Sequence, residues 1–356
     1  MKLFTCSHCA QPVYFENYIC LKCNAALGFD AQQMQLIALQ PAANGYTLLT
    51  QNGEINTTAY KYCSNKQFNV CNWLLPQNSE ATFCMACNLN HTIPDLTATG
   101  NIEKWGRIET AKHRLIYSLL RFKLPVVSKY QDVINGLAFD FMADDKPNDE
   151  HLFTGHANGW ITLNIKEADD VIRVMARNQM GEVYRTLLGH FRHEAGHYYW
   201  ERLIQYTPRL EDFRKLFGDE SMNYGEALKT YYTKPATANW KQNFISVYAS
   251  AHPWEDWAET WAHYLHIIDT LETGYSFGLT VKPRVPETET KMSALLNIDP
   301  YNSTFFDDIM NRWMPLAFVM NSLNRSMGIK DSYPFVINDT VREKLNFIHE
   351  TIKGIK

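Results

Sequence analysis

Two histidines and one glutamate stand together in the segment His193-Glu194-Ala195-Gly196-His197. On a helix, residues four positions apart share one face, so both imidazoles can bind the same metal ion. Glu194 would then lie beside an open coordination position, where a carboxylate can accept a proton from a water molecule. The spacing predicts a catalytic zinc site with His193 and His197 as ligands and Glu194 as the general base.

A second segment, Trp254 to His263, supplies candidates for the third ligand that a catalytic zinc needs. Glu255 and Glu259 share a helix face, so one carboxylate can bind zinc while the other accepts a hydrogen bond from a ligating histidine. Burying both acids against tryptophans without a cation would be very costly. We predict Glu255 as the ligand and Glu259 behind it. An exposed acidic face of an amphipathic helix is the alternative.

Other residues near these segments are weaker candidates for the site: His151, His156, His190, Arg192, His252, His263 and His266. We expect His190 and Arg192 to be surface or supporting groups, because they lie on other helix faces than the ligands. We expect His151 and His156 to lie in loops. The extended pattern HExxHxxGxxH is excluded, because Trp200 and Leu203 occupy its last two defined positions.

All eight cysteines lie within the first 87 residues, in two quartets: Cys6, Cys9, Cys20 and Cys23, then Cys63, Cys71, Cys84 and Cys87. Closely spaced C-x2-C pairs are typical of structural zinc sites, in which four thiolates fill the tetrahedron. We predict two structural zinc ions, one for each quartet in sequence order. A cross-braced pairing and a disulfide framework are the alternatives.

The charge of this cysteine-rich region bears on its partners. Residues 1–95 carry four lysines, no arginine and five acids, and the whole chain has a net charge of -4. Zinc ribbons that bind nucleic acid do so through basic faces. We therefore expect a scaffolding role or a protein partner for the ribbon, and no nucleic acid.

The pattern of apolar residues after about residue 105 is mainly helical. It predicts helices over 109–122, 167–177, 181–206, 224–232, 254–273 and 305–327. The fold class is thus a small β-rich double zinc ribbon over 1–100 followed by a mainly α (α+β) zincin-type domain over 101–356.

The clearest strand signal of the second region runs from Trp160 to Ile165 and follows a turn-forming stretch. We predict that this strand is a sheet edge to which an extended peptide pairs, with Trp160, Thr162 and Asn164 as substrate-binding residues. The interior of a parallel sheet is the alternative for the same alternating residues.

The composition excludes several classes of protein. Hydrophobic residues make up 46% of the chain and charged residues 20%, which disfavours disordered and fibrous proteins. The sequence also shows neither a long apolar run nor the apolar core of a signal peptide. We expect a cytoplasmic protein with no membrane association.

Several segments together resemble a bacterial family that joins a zinc ribbon to a zinc-binding metallopeptidase domain. They are the cysteine quartets, Cys71-Asn72-Trp73-Leu74, HEAGHYYW from His193, HPWEDWAETWAHYLHIIDT from His252, and Asn324-Arg325-Ser326-Met327-Gly328. The resemblance covers nearly the whole chain and implies a zinc peptidase, without implying a substrate.

The Glu-x-x-x-Glu helix is also similar to that of lethal-factor-type zinc proteases, which belong to the gluzincins. That resemblance implies that Glu255 binds zinc and that Glu259 hydrogen-bonds behind the site. It further implies that Tyr248, seven residues before Glu255, faces the reacting carbonyl; ordinary packing is the alternative for this tyrosine.

These residues together predict a peptidase that uses one catalytic and two structural zinc ions to hydrolyse a protein or peptide. A zinc-stabilised interaction protein without activity is the alternative. A protease that the ribbon recruits to nucleic-acid-bound proteins is a narrower one.

Overall fold

The computed structural model describes residues 1–51, 58–143, 155–169, 186–234, 239–285 and 292–354. Strands β1 (Phe4–Thr5) and β2 (Pro12–Val13) open the chain as an antiparallel pair. An antiparallel five-stranded meander follows, with strands β3 (Ala26–Asp30), β4 (Gln35–Ala42), β5 (Gly45–Leu48), β6 (Ala59–Tyr62) and β7 (Leu74–Pro76). The eight cysteines lie outside these strands. The predicted β-rich N-terminal region is confirmed.

A second, four-stranded sheet lies in the helical part of the fold. Its strands are β8 (Asn90–Thr92), β9 (Ala138–Met142), β10 (Gly155–Ala157) and β11 (Trp160–Asn164), in the spatial order β10-β11-β9-β8. Strand β11 runs parallel to β9 and antiparallel to β10. Strands β12 (Thr280–Val281) and β13 (Ala294–Leu295) form a separate antiparallel pair.

The predicted edge strand is wrong, because β11 lies between two neighbours that use both of its hydrogen-bonding sides. Asn158 and Gly159 explain the difference. Both have positive φ, 49° and 82°, which suits the tight two-residue turn of a hairpin. This turn folds β10 back onto β11, so Trp160, Thr162 and Asn164 cannot bind a peptide by strand addition.

The helices of the described residues are α1 (Asn101–Arg121), α2 (Leu187–Leu203), α3 (Arg209–Phe217), α4 (Tyr224–Thr233), α5 (Pro253–Ser276), α6 (Phe306–Ser326) and α7 (Asp339–Lys353). Helices α2, α4, α5 and α6 match predicted ones to within a few residues, although 181–185 lie outside the described residues. Helix α1 begins earlier than predicted, directly after Gly100. The sequence pattern did not predict α3 and α7.

The helix predicted over 167–177 is not α-helical at its described start. Residues Ile165–Ala168 form a short 3₁₀ helix directly after β11, and 170–177 lie outside the described residues. His151 lies outside them as well.

The centre of the helical region is the pair α2 and α5. Residues 191–200 of α2 are all buried. Across the interface, the rings of Tyr199 and Trp261 stack with centroids 5.2 Å apart, and Trp257 packs beside Trp261. Within the described ranges, no helix is both long and apolar enough to cross a membrane.

Candidate metal centre and active site

Helices α2 and α5 approach each other closely at Gly196. A Cβ atom at this position would lie 3.0 Å from the Cα of Ala258 and 3.2 Å from the Cβ of Trp261. The indole Nε1 of Trp257 donates a hydrogen bond to the Gly196 carbonyl, 2.8 Å away. Glycine at this position therefore allows the two helices to bring their polar side chains together.

Those side chains are His193 and His197 from α2 and Glu255 from the first turn of α5, which we call the His/Glu site. Their candidate ligand atoms all lie within 4.8 Å of one another, and all three residues are buried. The two Nε2 atoms are 3.2 Å apart. Glu255 places Oε2 3.0 Å from His193 Nε2 and Oε1 3.5 Å from His197 Nε2. Ligands on a tetrahedral zinc, with bonds of about 2.0–2.1 Å, stand apart by similar distances.

The hydrogen bonds around this group show that a cation fits it. Nδ1 of His193 lies 2.7 Å from the Glu259 carboxylate and donates to it, so in the neutral ring Nε2 carries a lone pair. That lone pair faces Glu255 Oε2, which receives no hydrogen bond from the described residues. Converging buried lone pairs repel one another unless a positive ion lies between them. Nitrogen and oxygen donors of this kind suit zinc.

Two hydroxyl groups hold the carboxylates at the His/Glu site, those of Glu259 and Glu255. Ser246 donates a 2.6 Å hydrogen bond to Oε2 of Glu259, which fixes the carboxylate behind His193. Tyr224 of α4 donates a 2.6 Å hydrogen bond to Oε1 of Glu255. Burial and the Glu255 charge raise the pKa of Tyr224, so its phenol stays protonated as a donor. Glu259 lies beside His193 as the sequence pattern predicts, whereas nothing in the spacing of Tyr224 and Ser246 marks them.

Glu194 follows His193 on α2, and its carboxylate interacts electrostatically with both His193 and His197. Its Oε1 lies 3.1 Å from Nε2 of His190, one turn earlier on α2. Burial alone would raise the pKa of Glu194, but His190 and the two other histidines outweigh this effect and lower it. The carboxylate is therefore ionised at neutral pH, as a general base must be.

Tyr248 lies beside the candidate ligand His193, in a short 3₁₀ helix, Tyr248–Ala251, which leads into α5. Its ring centroid is 5.9 Å from that of His193, and the ring of Tyr231 packs against it at 5.6 Å. Burial and the charge of Glu255 raise its pKa, so the phenol remains a hydrogen-bond donor. The structure brings Tyr248 to the site, and its role as an oxyanion donor stays a prediction.

His156 lies in strand β10 rather than in the expected loop. Its ring lies nearly parallel to that of His197, with centroids 6.2 Å apart. The Gly159 amide donates to its Nε2 at 2.9 Å. Strand β10 is thus the sheet edge that packs on α2, and its antiparallel hairpin is the part of the sheet nearest the His/Glu site.

The other histidine candidates do not join the site. His252 caps the N-terminus of α5, where its Nδ1 accepts a hydrogen bond from the Trp254 amide at 3.1 Å. His263 lies two turns along α5 and pairs with the hydroxyl of Tyr333. Arg192 forms a buried ion pair with Asp269, farther along α5 than Glu255 and Glu259.

The cysteines form the two groups expected from sequence order, with ligand atoms within 4.8 Å of one another. We call them ribbon cluster 1 (Cys6, Cys9, Cys20, Cys23) and ribbon cluster 2 (Cys63, Cys71, Cys84, Cys87). Sulfur pairs lie 3.5 to 3.7 Å apart, as on a zinc ion with bonds of about 2.3 Å. The cross-braced pairing is therefore wrong.

Ribbon cluster 2 also contacts helix α1. Sγ of Cys87 lies 3.7 Å from Nε2 of His113 and 3.8 Å from Oε2 of Glu109. Lys112, fully buried beside them, pairs with Glu109 at 2.8 Å. The second cluster is thus an attachment between the ribbon and the helical region.

Comparison with known proteins agrees with this division. A family model described as "Putative zinc-binding metallo-peptidase" matches residues 101–351, and one described as "zinc-ribbon domain" matches residues 3–98. Uncharacterised proteins of Mycobacterium tuberculosis and Mycobacterium bovis are each 40% identical over 356 residues, which is 100% of this chain and 96% of theirs. No solved structure matches the chain. The resemblance drawn from the sequence motifs is confirmed at the level of these two families.

Proposed function

We propose that this chain, which belongs to the "Putative zinc-binding metallo-peptidase" family, hydrolyses peptide bonds at a zinc ion bound by His193, His197 and Glu255. The observation that carries the proposal is the convergence of three buried donor atoms next to an ionised carboxylate, that of Glu194. Three protein ligands leave one position of a tetrahedral zinc open, which is typical of catalytic rather than structural sites.

The residues divide the chemistry among them. Zinc in this position would lower the pKa of a water molecule and polarise the carbonyl of a peptide. Glu194 would accept a proton from the attacking water and return it to the leaving amine. Tyr248, with its phenol protonated, would donate a hydrogen bond to the oxygen of the carbonyl as negative charge develops there. This assignment follows the gluzincin pattern, with Glu259 orienting His193.

Strand β10 supports a peptide as substrate. Among the described strands it is the outer one of its sheet, and it lies against α2, which carries two of the three candidate ligands. An extended peptide could pair with its free side and pass the His/Glu site. We therefore propose β10, in place of β11, as the strand to which a peptide substrate pairs.

We further infer that the protein holds three zinc ions and acts in the cytoplasm on a protein or peptide. The ribbon clusters would each hold one structural ion, because four thiolates leave no open position. Reduced thiolates persist in the cytoplasm, where clusters of this kind keep their metal. The near-neutral charge of residues 1–95 favours a protein rather than a nucleic acid as the ribbon's partner.

Zinc content and hydrolysis test the proposal together. We expect three zinc ions per chain in the wild type and two in His193→Ala, measured by plasma emission after purification without chelators. Glu194→Gln should keep all three ions and lose hydrolysis of fluorescently labelled casein by about 10³-fold or more, since it removes the general base. Glu350→Gln, on the exposed face of α7, is the matched control.

Two results would contradict this assignment. Casein hydrolysis that survives Glu194→Gln would exclude Glu194 as the base. Two zinc ions in both the wild type and His193→Ala would confine metal to the ribbon clusters, and the interaction-protein alternative would replace the peptidase.

A further inference from the structure

The Glu194 carboxylate is one end of a chain of three charged side chains, with His190 and then Glu167 behind it. His190 places Nε2 3.1 Å from Oε1 of Glu194 and Nδ1 2.6 Å from Oε2 of Glu167. The side chain of His190 is 13% exposed and that of Glu167 14%. Spacing along the chain does not connect the three, since Glu167 lies in the 3₁₀ helix after β11 and the other two lie on α2.

The geometry sets the protonation of the ring. Each nitrogen of His190 faces a carboxylate oxygen at hydrogen-bond distance, and an ionised carboxylate only accepts hydrogen bonds. A neutral imidazole would turn one lone pair toward one of the carboxylates. Both nitrogens therefore carry a proton, and His190 is an imidazolium between two anions. Burial disfavours this charge, but the two carboxylates outweigh burial and raise the pKa of His190 to about 9.

The consequence for Glu194 is a fixed orientation. Among the described residues, His190 alone donates a hydrogen bond to this carboxylate, and it does so at Oε1. The second oxygen, Oε2, is left for a reacting water. Because a glutamate side chain has three rotatable bonds, a donor on the preceding helical turn restricts which way that oxygen points. Glu167 in turn prevents the ring of His190 from rotating.

We propose that His190, held by Glu167, is a positioning residue that fixes Glu194 in the orientation required of the general base. This inference depends on the function proposed above. It also joins two parts of the site, because the 3₁₀ helix with Glu167 continues from β11, the partner strand of β10. Strand β10 and the Glu194 carboxylate would then stay fixed relative to each other.

A purely structural ion pair is the competing interpretation, and the variants must separate the two. His190→Ala removes both hydrogen bonds. His190→Gln keeps a donor of similar reach toward Glu194, and Glu167→Gln keeps His190 but removes the anion that orients it. His91→Ala is the matched control, because His91 also binds a carboxylate, Asp140 at 2.8 Å, but lies on β8 at the opposite sheet edge.

With labelled casein as the probe, we expect kcat of His190→Ala to fall about 10- to 100-fold, the usual effect of removing a group that orients a site residue. KM should change less than about threefold and zinc should remain at three ions, because the ligands are untouched. His190→Gln should recover part of the lost kcat, Glu167→Gln should lose less than His190→Ala, and His91→Ala should match the wild type.

Nitrogen-15 spectra of labelled histidine give a readout that needs no substrate. At neutral pH the zinc-loaded protein should show one histidine with protons on both ring nitrogens that disappears in His190→Gln and shifts in Glu167→Gln. A singly protonated His190 would overturn the proposal, as would wild-type kcat in His190→Ala. Loss of zinc or of the folded state in both His190 variants would show a structural ion pair instead. If the spectra agree but the wild type cleaves no casein, the proposed peptidase function fails while the hydrogen-bonded chain stands.

Discussion

The ribbon clusters and the His/Glu site gather their donors in different ways. Each cluster takes four thiolates from turns that lie close together in the chain, and these fill a tetrahedron. The His/Glu site takes three donors from two helices, α2 and α5, whose sequences are far apart. Its ligands are supported by carboxylate and hydroxyl groups, Glu259 and Tyr224. A saturated thiolate cluster stabilises a small fold, whereas an unsaturated site needs rigid supports that keep one position open.

Removing one candidate ligand from each region should affect different properties, hydrolysis at the His/Glu site and folding stability in the ribbon. Glu255→Ala should release one zinc ion and reduce casein hydrolysis by about 10³-fold or more, because the metal's contribution is lost. Cys84→Ser in ribbon cluster 2 should also release one ion but destabilise the ribbon by several kcal/mol, because structural zinc contributes directly to folding. Zinc content, hydrolysis and urea unfolding measure the three effects.

The contrast fails if the two variants behave alike. Full zinc content in Glu255→Ala would identify Glu259 or a histidine as the third ligand. A Cys84→Ser protein with wild-type stability would show that packing against α1, through residues such as His113, holds the ribbon without its metal.

Packing at Gly196 tests whether the His/Glu site depends on the distance between its helices. Gly196→Ala adds a methyl group 3.0 Å from a backbone atom of α5, so α2 must move by a few tenths of an ångström. We expect zinc affinity at this site to fall about 10- to 100-fold and stability to fall by about 1–3 kcal/mol. Competition with a chromophoric chelator measures the affinity.

Gly106→Ala is the control for this substitution, because a methyl group there meets only Val70, at an ordinary 3.4 Å. Zinc in the ribbon clusters should be unaffected by either change. Equal zinc affinity in Gly196→Ala and wild type would mean that the His/Glu site tolerates helix displacement.

Much of both metal regions was predictable from local patterns. The cysteine quartets follow from C-x2-C spacing, and the pairing of His193 with His197 follows from helical periodicity. Helix α5 was also predictable, because an amphipathic pattern runs through it. These features depend on residues close together in the chain, which is the information a single sequence carries.

Contacts between distant segments were not predictable. Strand β11 has the alternation of an edge strand, but the Asn158-Gly159 turn folds β10 over it and makes β10 the edge. The approach of Tyr224 to Glu255 and of Glu167 to His190 depends on tertiary packing alone. Helices α3 and α7, by contrast, could have been predicted, because their buried residues follow the helical period: Phe213 and Phe217 in α3, and Val341, Leu345, Ile348 and Ile352 in α7.

Tyr224 shows how strongly the His/Glu site depends on its supports. Tyr224→Phe removes the hydrogen bond to Oε1 of Glu255 and keeps the aromatic ring. We expect zinc affinity at the site to fall by about tenfold, at the lower end for groups that orient a ligand, with stability unchanged. Tyr206→Phe, on a ring that is 91% exposed, is the control. Unchanged affinity in Tyr224→Phe would mean that α5 alone holds Glu255.

The His190 imidazolium gives the His/Glu region a pH dependence of its own, which a single variant can isolate. Because its pKa is raised from 6.5 to about 9, its contribution to stability is complete below pH 6.5 and is lost as pH rises through 9. The His190→Gln variant lacks this contribution at every pH, because glutamine does not titrate. The difference in unfolding free energy between wild type and His190→Gln, from urea titrations at about pH 6 and pH 9.5, should therefore shrink by about 3 kcal/mol between the two. A difference that stays constant over this range would show that His190 does not carry its charge in the folded protein.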